Sequence, residues 1–346
     1  MSGDFAQNLP VVKRGGRAQI VAATIKRSLI WNSVTQLALA TNMRTRDAAA
    51  NELTATFNAL LAGVGAGTSN EYPRLPDVRV DGATARGERY VRIPEPFVHR
   101  GDLRSLIEWA FPGISDARDS GERREPGALG TVLASTNRVV QKINDTVFEL
   151  YKPGVEVTES LSADELLEDR LEVPIEVLNA NNQAGLPPNR LLLKRGMPVM
   201  VLRNLNPSRS IMNGTVLIYE EIINNCLMRV KDRETGEVHH IPKIELAPKD
   251  GVDVYRWRRT QFPVCVAFAM TIAKSQGQTC KGRVAVYVPE PVFAHGSLYV
   301  ALSRVTDPRN LRVCLPEGEH LPRGERASAP GTGAVTVNVT FREVLD

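Results

Sequence analysis

Apolar and polar positions along the 346-residue chain follow two periods, one typical of helices and one typical of strands. The helical period predicts helices over residues 17–31, 47–61, 102–111 and 137–150, and a short apolar helix that ends at Arg304. Residues 130–135 are predicted to form a strand just before the 137–150 helix. A strand followed at once by a helix is typical of α/β domains, so the pattern predicts an α/β fold.

Shorter alternating segments fill the middle and the end of the chain. Two apolar runs lie within residues 191–202, and short strands alternate with turns from 214 to 246. Short strands at close spacing predict a small antiparallel β-barrel, after which the α/β pattern returns at 262–270. Alternation also predicts strands over residues 34–39 and 335–345.

A glycine-rich stretch at residues 63–67 has two interpretations. Glycine-rich loops can cradle a phosphate, but this one lacks the lysine of such a loop. It also follows a predicted helix, whereas phosphate-binding loops of this kind follow a strand. The sequence therefore favours an ordinary loop over a phosphate cradle.

Composition narrows the class of protein. The chain is 42% hydrophobic and 24% charged, as in soluble globular proteins, and is long enough for two or three compact units. It has neither an apolar run of the ~20 residues that span a bilayer nor a signal-peptide pattern at its start. Its scattered cysteines predict reduced thiols and no metal site, as no CxxC occurs among them: Cys226, Cys265, Cys280 and Cys314.

The net charge of +4 says little about nucleic acid, because binding depends on how charges cluster. Arg256, Arg258 and Arg259 surround Trp257, and Arg304, Arg309 and Arg312 form a looser group. A solvated face is the commoner explanation of such clusters. Bases stack on aromatic rings beside cations, so Trp257 is either a stacking platform for nucleic acid or a core residue.

Two motifs carry most of the candidate chemistry. AMTIAKSQGQT (residues 269–279) places a polar, glycine-containing turn after a buried strand, and SLYVALSR (residues 297–304) is an apolar helix ending in arginine. This arrangement can present backbone amides, hydroxyls and one guanidinium to a phosphate-bearing cleft at the ends of sheet strands.

Six segments together resemble one family. They are SGDFAQNLPVV (2–12), LKRGMPVMVLRNLNPSRSIMNGT (193–215), RTQFP (259–263), TIAKSQGQT (271–279), YVALSRV (299–305) and NVTFREVL (338–345). They resemble, in the same order, segments of the PIF-type DNA helicases of superfamily one. The likeness is greatest to the branch carried by Helitron rolling-circle transposons.

The resemblance implies roles for individual residues. Gln7 matches the glutamine that senses the γ-phosphate, Arg44 the fourth-motif arginine that reaches the phosphates, and Arg304 the arginine finger of the sixth motif. Gln276 and Gly277 match the nucleotide side of the fifth motif. DNA contacts are expected from residues of the fifth motif and of the barrel: Lys274, Ser275, Thr279, Arg203, Asn204 and Trp257. Barrel-edge packing is an equal alternative for Arg203 and Asn204.

The sequence departs from the family in two ways. Ala273 stands where the family usually has histidine or asparagine, which removes one polar contact. No GxxxxGK[ST] occurs, and the acidic metal-binding motif that normally precedes Gly3-Asp4 is absent. We therefore expect ATP and Mg²⁺ to bind in the intact helicase but not tightly to this chain alone, with the missing N-terminal motor lobe as a partner.

The resemblance thus implies a RecA-like second motor lobe (residues 47–175 and 262–320) with an inserted β-barrel (176–261). Residues 1–46 would be the tail of a truncated first lobe, and 321–346 a flexible connection with a terminal strand. The expected function is the C-terminal part of an ATP-dependent 5′-to-3′ DNA helicase acting on single-stranded DNA. Its expected location is nuclear, with mitochondrial or cytoplasmic as alternatives, and the family associates it with DNA repair, recombination and telomere maintenance. Alternatives are a non-enzymatic single-stranded nucleic-acid-binding module or an inactive transposon-derived remnant.

Overall fold

A computed structural model describes residues 3–37, 51–68, 79–80, 83–84, 88–115, 130–167, 173–183, 185–248, 255–316, 318, 320 and 331–345. The helices are α1 Arg17–Ala22, α2 Glu52–Ala66, α3 Leu103–Ala110, α4 Asn137–Leu150, α5 Ile175–Asn179, α6 Ser297–Leu302 and α7 Arg342–Leu345. The strands are β1 Arg79–Val80, β2 Ala83–Thr84, β3 Glu88–Ile93, β4 Val98–His99, β5 Thr131–Ala134, β6 Thr158–Leu161, β7 Ala163–Leu166, β8 Arg190–Leu193, β9 Pro198–Val201, β10 Val216–Ile223, β11 Leu227–Asp232, β12 Val238–Pro242, β13 Ile244–Leu246, β14 Trp257–Gln261, β15 Val264–Val266, β16 Ala269–Thr271, β17 Val284–Tyr287, β18 Leu311–Cys314 and β19 Ala334–Val339.

The chain divides into two compact units. The first contains Met1–Pro112, Ala128–Val140 and Met270–Asp346, and the second Gly113–Gly127 and Gln141–Ala269. The division into two lobes and a barrel that the sequence suggests stays a prediction. Among the described helices, none has both the length and the apolar character that crossing a bilayer requires.

The first unit is built on a five-stranded sheet in the order β16-β5-β17-β18-β4. β17 pairs in parallel with both β5 and β18, and β18 pairs in parallel with β4. Every residue of β5 and of β17 is buried, which explains why both strands are largely apolar and do not alternate between apolar and polar residues. The expected α/β fold is therefore confirmed for this unit.

The first unit also contains a two-stranded antiparallel ribbon, β3 with β19. All six residues of β19 are buried, and its valines pack with Tyr90 and with Val21 of α1. The predicted terminal strand is therefore present, but it ends at Val339 and the chain continues into α7.

Within its described residues, the second unit contains three antiparallel sheets: β12-β11-β10-β9-β15, β13-β14-β7 and β6-β8. Alternate residues of β11 and β12 are buried, and their inward side chains join those of β9 and β10 in one apolar cluster. The short strands predicted between 214 and 246 are thus observed. Closure of these sheets into a barrel stays a prediction.

Several predicted boundaries near the start of the chain were wrong. The helix expected over 17–31 ends at Ala22, because Thr24 and Ser28 adopt extended backbone angles and separate it from two 3-10 turns, Ile25–Arg27 and Leu29–Ser33. Residues 34–37 of the predicted strand lie in no strand, and 38–39 are outside the described residues.

The helix predicted over 47–61 is α2, which runs five residues further, to Ala66. The Asn51 side chain accepts a hydrogen bond from the Thr54 amide at 2.9 Å and fixes the first turn. The glycine-rich stretch is therefore mostly the last turns of a helix, and Gly67 (φ +65°) ends it in the left-handed conformation.

Candidate functional site

The short helix α6 connects two of the sequence motifs. Its six residues give it a length of about 9 Å. At its amino end lie residues of the GDFAQNLP segment, and at its carboxyl end lies the KSQGQT turn. The structure thus brings Gln7 and Arg304 to opposite ends of one element within the first unit.

Gly296 allows the amino end of α6 to lie directly against the GDFAQ backbone. It precedes the helix with a φ of +71°, and a Cβ added to it would meet the Ala6 carbonyl oxygen at 2.3 Å. The neighbouring Ser297 hydroxyl donates to the Asn8 side-chain oxygen at 3.3 Å. No residue with a side chain fits this position without displacing the segment that carries Gln7.

Gln7 lies in a turn organised by Asp4. The Asp4 carboxylate accepts hydrogen bonds from the Ala6 amide at 3.0 Å and from the Gln7 side-chain amide at 2.9 Å. Gln7 is half-buried, and its amide is held by its own turn. The predicted γ-phosphate sensor is therefore positioned by an aspartate only three residues away.

Buried His295 connects the same segment to the end of the chain. Its Nδ1 accepts the Phe341 amide hydrogen at 2.7 Å, which places the proton on Nε2, and Nε2 donates to the Phe5 carbonyl at 2.8 Å. Burial is the main cause that lowers the pKa of His295, partly offset by the Phe5 hydrogen bond. A neutral imidazole satisfies both bonds, whereas an imidazolium could not accept from Phe341.

Arg304 is fully buried, with an exposed fraction of 0%. Its Nη1 donates to the Gln278 carbonyl at 2.9 Å and to the Ser275 carbonyl at 3.2 Å. Its Nε donates to the Val300 carbonyl and its Nη2 to the Ser303 hydroxyl. The guanidinium therefore holds the KSQGQT turn against the end of α6.

This geometry differs from the expectation of a guanidinium presented to a nucleotide. A finger needs free donors at the phosphate, but in this arrangement the Arg304 donors are directed to oxygens of its own unit. Its backbone carbonyl also accepts from the Cys280 amide at 2.9 Å, which continues the connection beyond the turn. The finger role of Arg304 stays a prediction.

The opposite side of the KSQGQT turn is open. Lys274, Gln276, Gly277 and Thr279 are exposed, and a Cβ added to Gly277, whose φ is +83°, would meet no atom within 4 Å. Among the described residues the Lys274 ammonium has no ion pair. An ammonium, an amide, a hydroxyl and an exposed glycine backbone are the groups that bind phosphate oxygens, so this face fits a phosphate-bearing ligand.

Ser275 does not share that face, so the structure does not support the DNA contact predicted for it. The side chain is fully buried, and its hydroxyl donates to the Ile272 carbonyl at 2.7 Å. Side chains three residues apart in a 3-10 turn lie on the same side. Ser275 therefore shares the buried side of the turn Ile272–Ser275 with Ile272.

The structure also does not support the DNA-stacking role predicted for Trp257. Its exposed fraction is 1%, and it packs in a cluster with Leu178, Leu186 and Leu246. A ring in that position cannot stack on a base, so the core interpretation is the one observed. The neighbouring arginines are also neutralised, since Arg258 pairs with Glu165 and Arg259 pairs with buried Asp164 at 2.6 Å.

Of the other predicted site residues, two make local contacts within the second unit and one lies outside the described residues. Arg203 lies in the second unit and donates to the carbonyls of Gly185 and Leu202 at 2.7 and 2.9 Å. The exposed Asn204 accepts the Asn213 amide at 2.9 Å, which favours loop packing as its local role. Arg44 lies outside the described residues.

Sequence reasoning missed the residues that hold the site together. Gly65 of α2 is one, because a Cβ there would lie 2.9 Å from the Tyr299 ring of α6. His295 and Gly296 are others, and their positions directly before the SLYVALSR motif were the available signal. A histidine–glycine pair at a helix start suggests a side-chain anchor and a left-handed residue.

Two segments of the chain match known families. Residues 1–74 match the family described as "PIF1-like helicase", and residues 176–221 match "DNA helicase Pif1, 2B domain". The similarity is to PIF-type helicases. These two segments contain Gln7, Arg203 and Asn204, and they agree with the motif resemblance in both order and position.

Curated relatives carry the same description. The chain is 37% identical over 140 residues to the human ATP-dependent DNA helicase PIF1, covering 38% of this chain and 20% of the relative. It is 30% identical over 190 residues to that of Danio rerio, covering 54% and 27%. The matched region thus spans between a fifth and about a quarter of these relatives' length.

Solved structures share the fold. The Pif1 helicase of Candida albicans superposes with a TM-score of 0.56 at 20% identity, covering 99% of this chain and 66% of its own. Bacteroides Pif1 bound to ssDNA gives a TM-score of 0.54 at 19% identity, covering 90% and 60%. The chain therefore has the RecA-like α/β fold of these helicases.

Proposed function

We propose that this chain acts as part of an ATP-dependent DNA helicase of the PIF type, moving 5′ to 3′ on single-stranded DNA. In this proposal the parallel sheet and α6 belong to the second motor lobe. A first motor lobe completes the nucleotide site and carries the phosphate-binding lysine and the magnesium ligands. The observation that carries the proposal is the pair of family matches at residues 1–74 and 176–221, which agree with the motif order.

DNA as the ligand is inferred from what the structural relatives bind. One Bacteroides Pif1 structure is described as bound to ssDNA and another as a complex with ADP-AlF3 and ssDNA. The exposed face of the KSQGQT turn supports the same ligand class, because Lys274 and Thr279 offer a cation and a hydroxyl to phosphate oxygens.

We assign the coupling between motifs to α6. The helix is held at its amino end by the Gly296 contact with Ala6 and at its carboxyl end by the Arg304 bonds to Ser275 and Gln278. A displacement of the turn is passed to the Gln7 segment through one rigid, buried element. Bound ATP would supply the phosphoryl transfer that drives the cycle.

Arg304 has two successive roles in this proposal. In the arrangement described it orders the turn, which positions Lys274 and Gln276. Acting as an arginine finger requires it to exchange its bonds to the Ser275 and Gln278 carbonyls for bonds to a phosphate. Arginine suits both tasks because its charge is permanent and its planar fork binds two acceptors.

The test is hydrolysis by a reconstituted enzyme. The chain is fused to a PIF-type first motor lobe, and ATP hydrolysis and unwinding of a 5′-tailed duplex are measured with and without single-stranded DNA. DNA-stimulated hydrolysis that Arg304→Ala reduces at least 100-fold is expected, since removing an arginine finger costs about 10³-fold or more. Stimulated hydrolysis by the unfused chain, or none by the fusion, contradicts the proposal.

The finer assignments rest on the resemblance. We propose the Helitron branch, a nuclear location and closure of the antiparallel sheets of residues 176–261 into a barrel inserted in the second lobe. The match of residues 176–221 to the 2B domain supports the insertion. A fluorescent fusion that is excluded from the nucleus would contradict the location.

A further inference from the structure

Trp109 lies beside two arginines in a part of the first unit that the helicase motifs do not include. The guanidinium carbons of Arg283 and Arg312 lie 5.4 and 5.2 Å from the centre of its ring. Arg283 directly precedes β17, and Arg312 is the second residue of β18. None of the three belongs to a segment that resembles the helicase family, so the motifs assign no role to this cluster.

The two positive charges are not balanced within the described part of the chain. Neither arginine has a carboxylate partner there, and both donate to backbone carbonyls, Arg283 to Trp109 at 2.6 Å and Arg312 to Leu311 at 2.7 Å. Their distances to one ring keep the two charges no farther apart than roughly the Debye length at 0.1 M salt, about 10 Å. The two like charges repel each other, and an anion bound beside them would relieve that repulsion.

The cluster is rigid and partly open to solvent. Trp109, Arg283 and Arg312 are all half-buried, so each guanidinium keeps donors that water or a ligand can reach. The Arg283 carbonyl accepts the Thr131 amide at 2.8 Å, which anchors its backbone to β5. A preorganised pair of guanidiniums loses little conformational entropy when it binds an anion.

The titration behaviour of the neighbours agrees with a positive site. Burial, and after it the charge of Arg283, lowers the pKa of Arg312. Burial, and after it the charge of Arg312, lowers the pKa of His99. Burial is the larger cause of both pKa shifts; the neighbouring arginine charge adds to each, and for His99 the charge of Asp102 opposes it.

We propose that Arg283 and Arg312, held by Trp109, bind the phosphodiester backbone of a nucleic-acid strand at a site separate from the KSQGQT turn. The inference rests on the proposed function and extends it by a second DNA contact. Guanidinium forks match two phosphate oxygens in one plane. The proposed contacts are made by the guanidiniums to phosphate oxygens, so they recognise the backbone and not the base sequence.

The experiment measures binding of the full chain to a labelled single-stranded oligonucleotide by fluorescence anisotropy across a salt series. For single strands each phosphate contact contributes about 0.7 to the slope of log K against log salt. The double variant Arg283→Gln/Arg312→Gln should reduce the magnitude of that slope by about 1.4. Arg138→Gln is the matched control, because that arginine is exposed, lies in the same unit and pairs with exposed Glu290.

A second measurement uses the unaltered chain, so its result does not depend on whether a variant folds. Phenylglyoxal modifies accessible arginines, and mass spectrometry locates the modified positions. The oligonucleotide should protect Arg283 and Arg312 in the unaltered chain and leave Arg138 reactive. Inorganic phosphate at the same phosphate concentration should protect them less, because a strand presents several linked phosphates.

The possible outcomes of these two experiments contradict different claims. An unchanged slope and unprotected arginines, with DNA still bound, contradict this site and leave the proposed function intact. An equal loss of slope in Arg138→Gln shows only a general charge effect and also contradicts the site. Protection by an acidic peptide and not by the oligonucleotide identifies a protein ligand instead. A chain that binds no DNA at all contradicts the proposed function, and this inference with it.

Discussion

At the scale of single residues, substitutions at two glycines in left-handed conformations distinguish the cost of a steric clash from the cost of backbone strain. Gly296 and Gly277 both have a positive φ, +71° and +83°. An alanine at 296 would also place its Cβ 2.3 Å from the Ala6 carbonyl, whereas an alanine at 277 would meet nothing within 4 Å. The pair therefore provides a matched comparison.

Gly296→Ala is expected to cost at least ~3 kcal/mol of unfolding free energy, and Gly277→Ala about 1–2 kcal/mol, the usual cost of a left-handed alanine. Urea unfolding followed by circular dichroism measures both values. The larger loss arises because the Gln7 segment must move away from α6. Equal losses in the two variants would show that the contact with Ala6 contributes nothing.

Arg304 is expected to contribute to stability as well as to activity. Arg304→Met leaves the Ser275 and Gln278 carbonyls without their donor, and the loss of a buried charged hydrogen-bond network should cost ~3 kcal/mol. Arg309→Met is the control, because the side chain of Arg309 is 68% exposed and pairs with Asp307 on the surface. We expect that change to cost under ~1 kcal/mol.

Thermal unfolding compares the two variants, and hydrogen exchange tests the mechanism. The Gln278 amide donates to the Ser275 carbonyl at 3.0 Å, and its exchange should accelerate in Arg304→Met alone. A stable Arg304→Met variant with a protected turn would leave arginine-finger chemistry as the only role of this residue.

At the scale of elements, His295 makes the attachment of α6 sensitive to pH. Its pKa is lowered in the folded chain, chiefly by burial, so the unfolded chain binds the proton more readily. Stability is therefore highest above the unfolded value of about 6.5 and falls as pH decreases below it toward the folded pKa. Protonation also removes the Phe341 hydrogen bond.

Urea unfolding at pH 7.5 and pH 5.5 should show a smaller loss of stability in His295→Asn than in the unaltered chain. The comparison with His295→Asn is needed because His99, whose pKa is also lowered mainly by burial, makes the chain less stable at acidic pH in the same way. An identical pH dependence in the two proteins would mean that His295 does not titrate on unfolding.

In the second unit, two adjacent carboxylate residues of β7 allow the stability contribution of a buried ion pair to be compared with that of an exposed one. Asp164 and its partner Arg259 both have side chains with 0% exposure, whereas Glu165 pairs with Arg258 at the surface. Asp164→Asn leaves a buried guanidinium uncompensated and should cost ~3–5 kcal/mol. Glu165→Gln should cost under ~1 kcal/mol, and denaturant unfolding distinguishes the two.

The sequence predicted elements better than side-chain directions. The strand-then-helix pattern identified β5, and short segments separated by turns identified β11 and β12, whose alternate residues are buried. The fully buried strand β17 was not predicted. The outcome for Trp257 could not be predicted, since a ring among arginines fits both a core and a binding surface. Its burial depends partly on Leu178 of α5, which is distant in sequence.

The same limit applies to the candidate site. The KSQGQT turn and the short apolar helix before Arg304 were predicted from local pattern, and both are present, although the helix ends at Leu302. Whether Arg304 points inward or outward depends on the position of the turn carbonyls, which tertiary packing sets. Gly65 was predicted to lie in a loop, although its function is to let α2 approach Tyr299 closely.

At the scale of the whole molecule, α6 is the link between the Gln7 segment and the KSQGQT turn. Ligand binding at one end should then change the other, because the helix is short, buried and bonded at both ends. Independent motion of the two motifs would require one of these attachments to break.

The most direct measurement is hydrogen exchange of the chain fused to a PIF-type first lobe, with and without single-stranded DNA and a nonhydrolysable ATP analogue. We predict that residues 4–8, 274–279 and 296–304 gain protection together, and that Arg304→Met uncouples the first segment from the second. Protection of the turn alone in the unaltered protein, or of neither segment, would contradict this coupling.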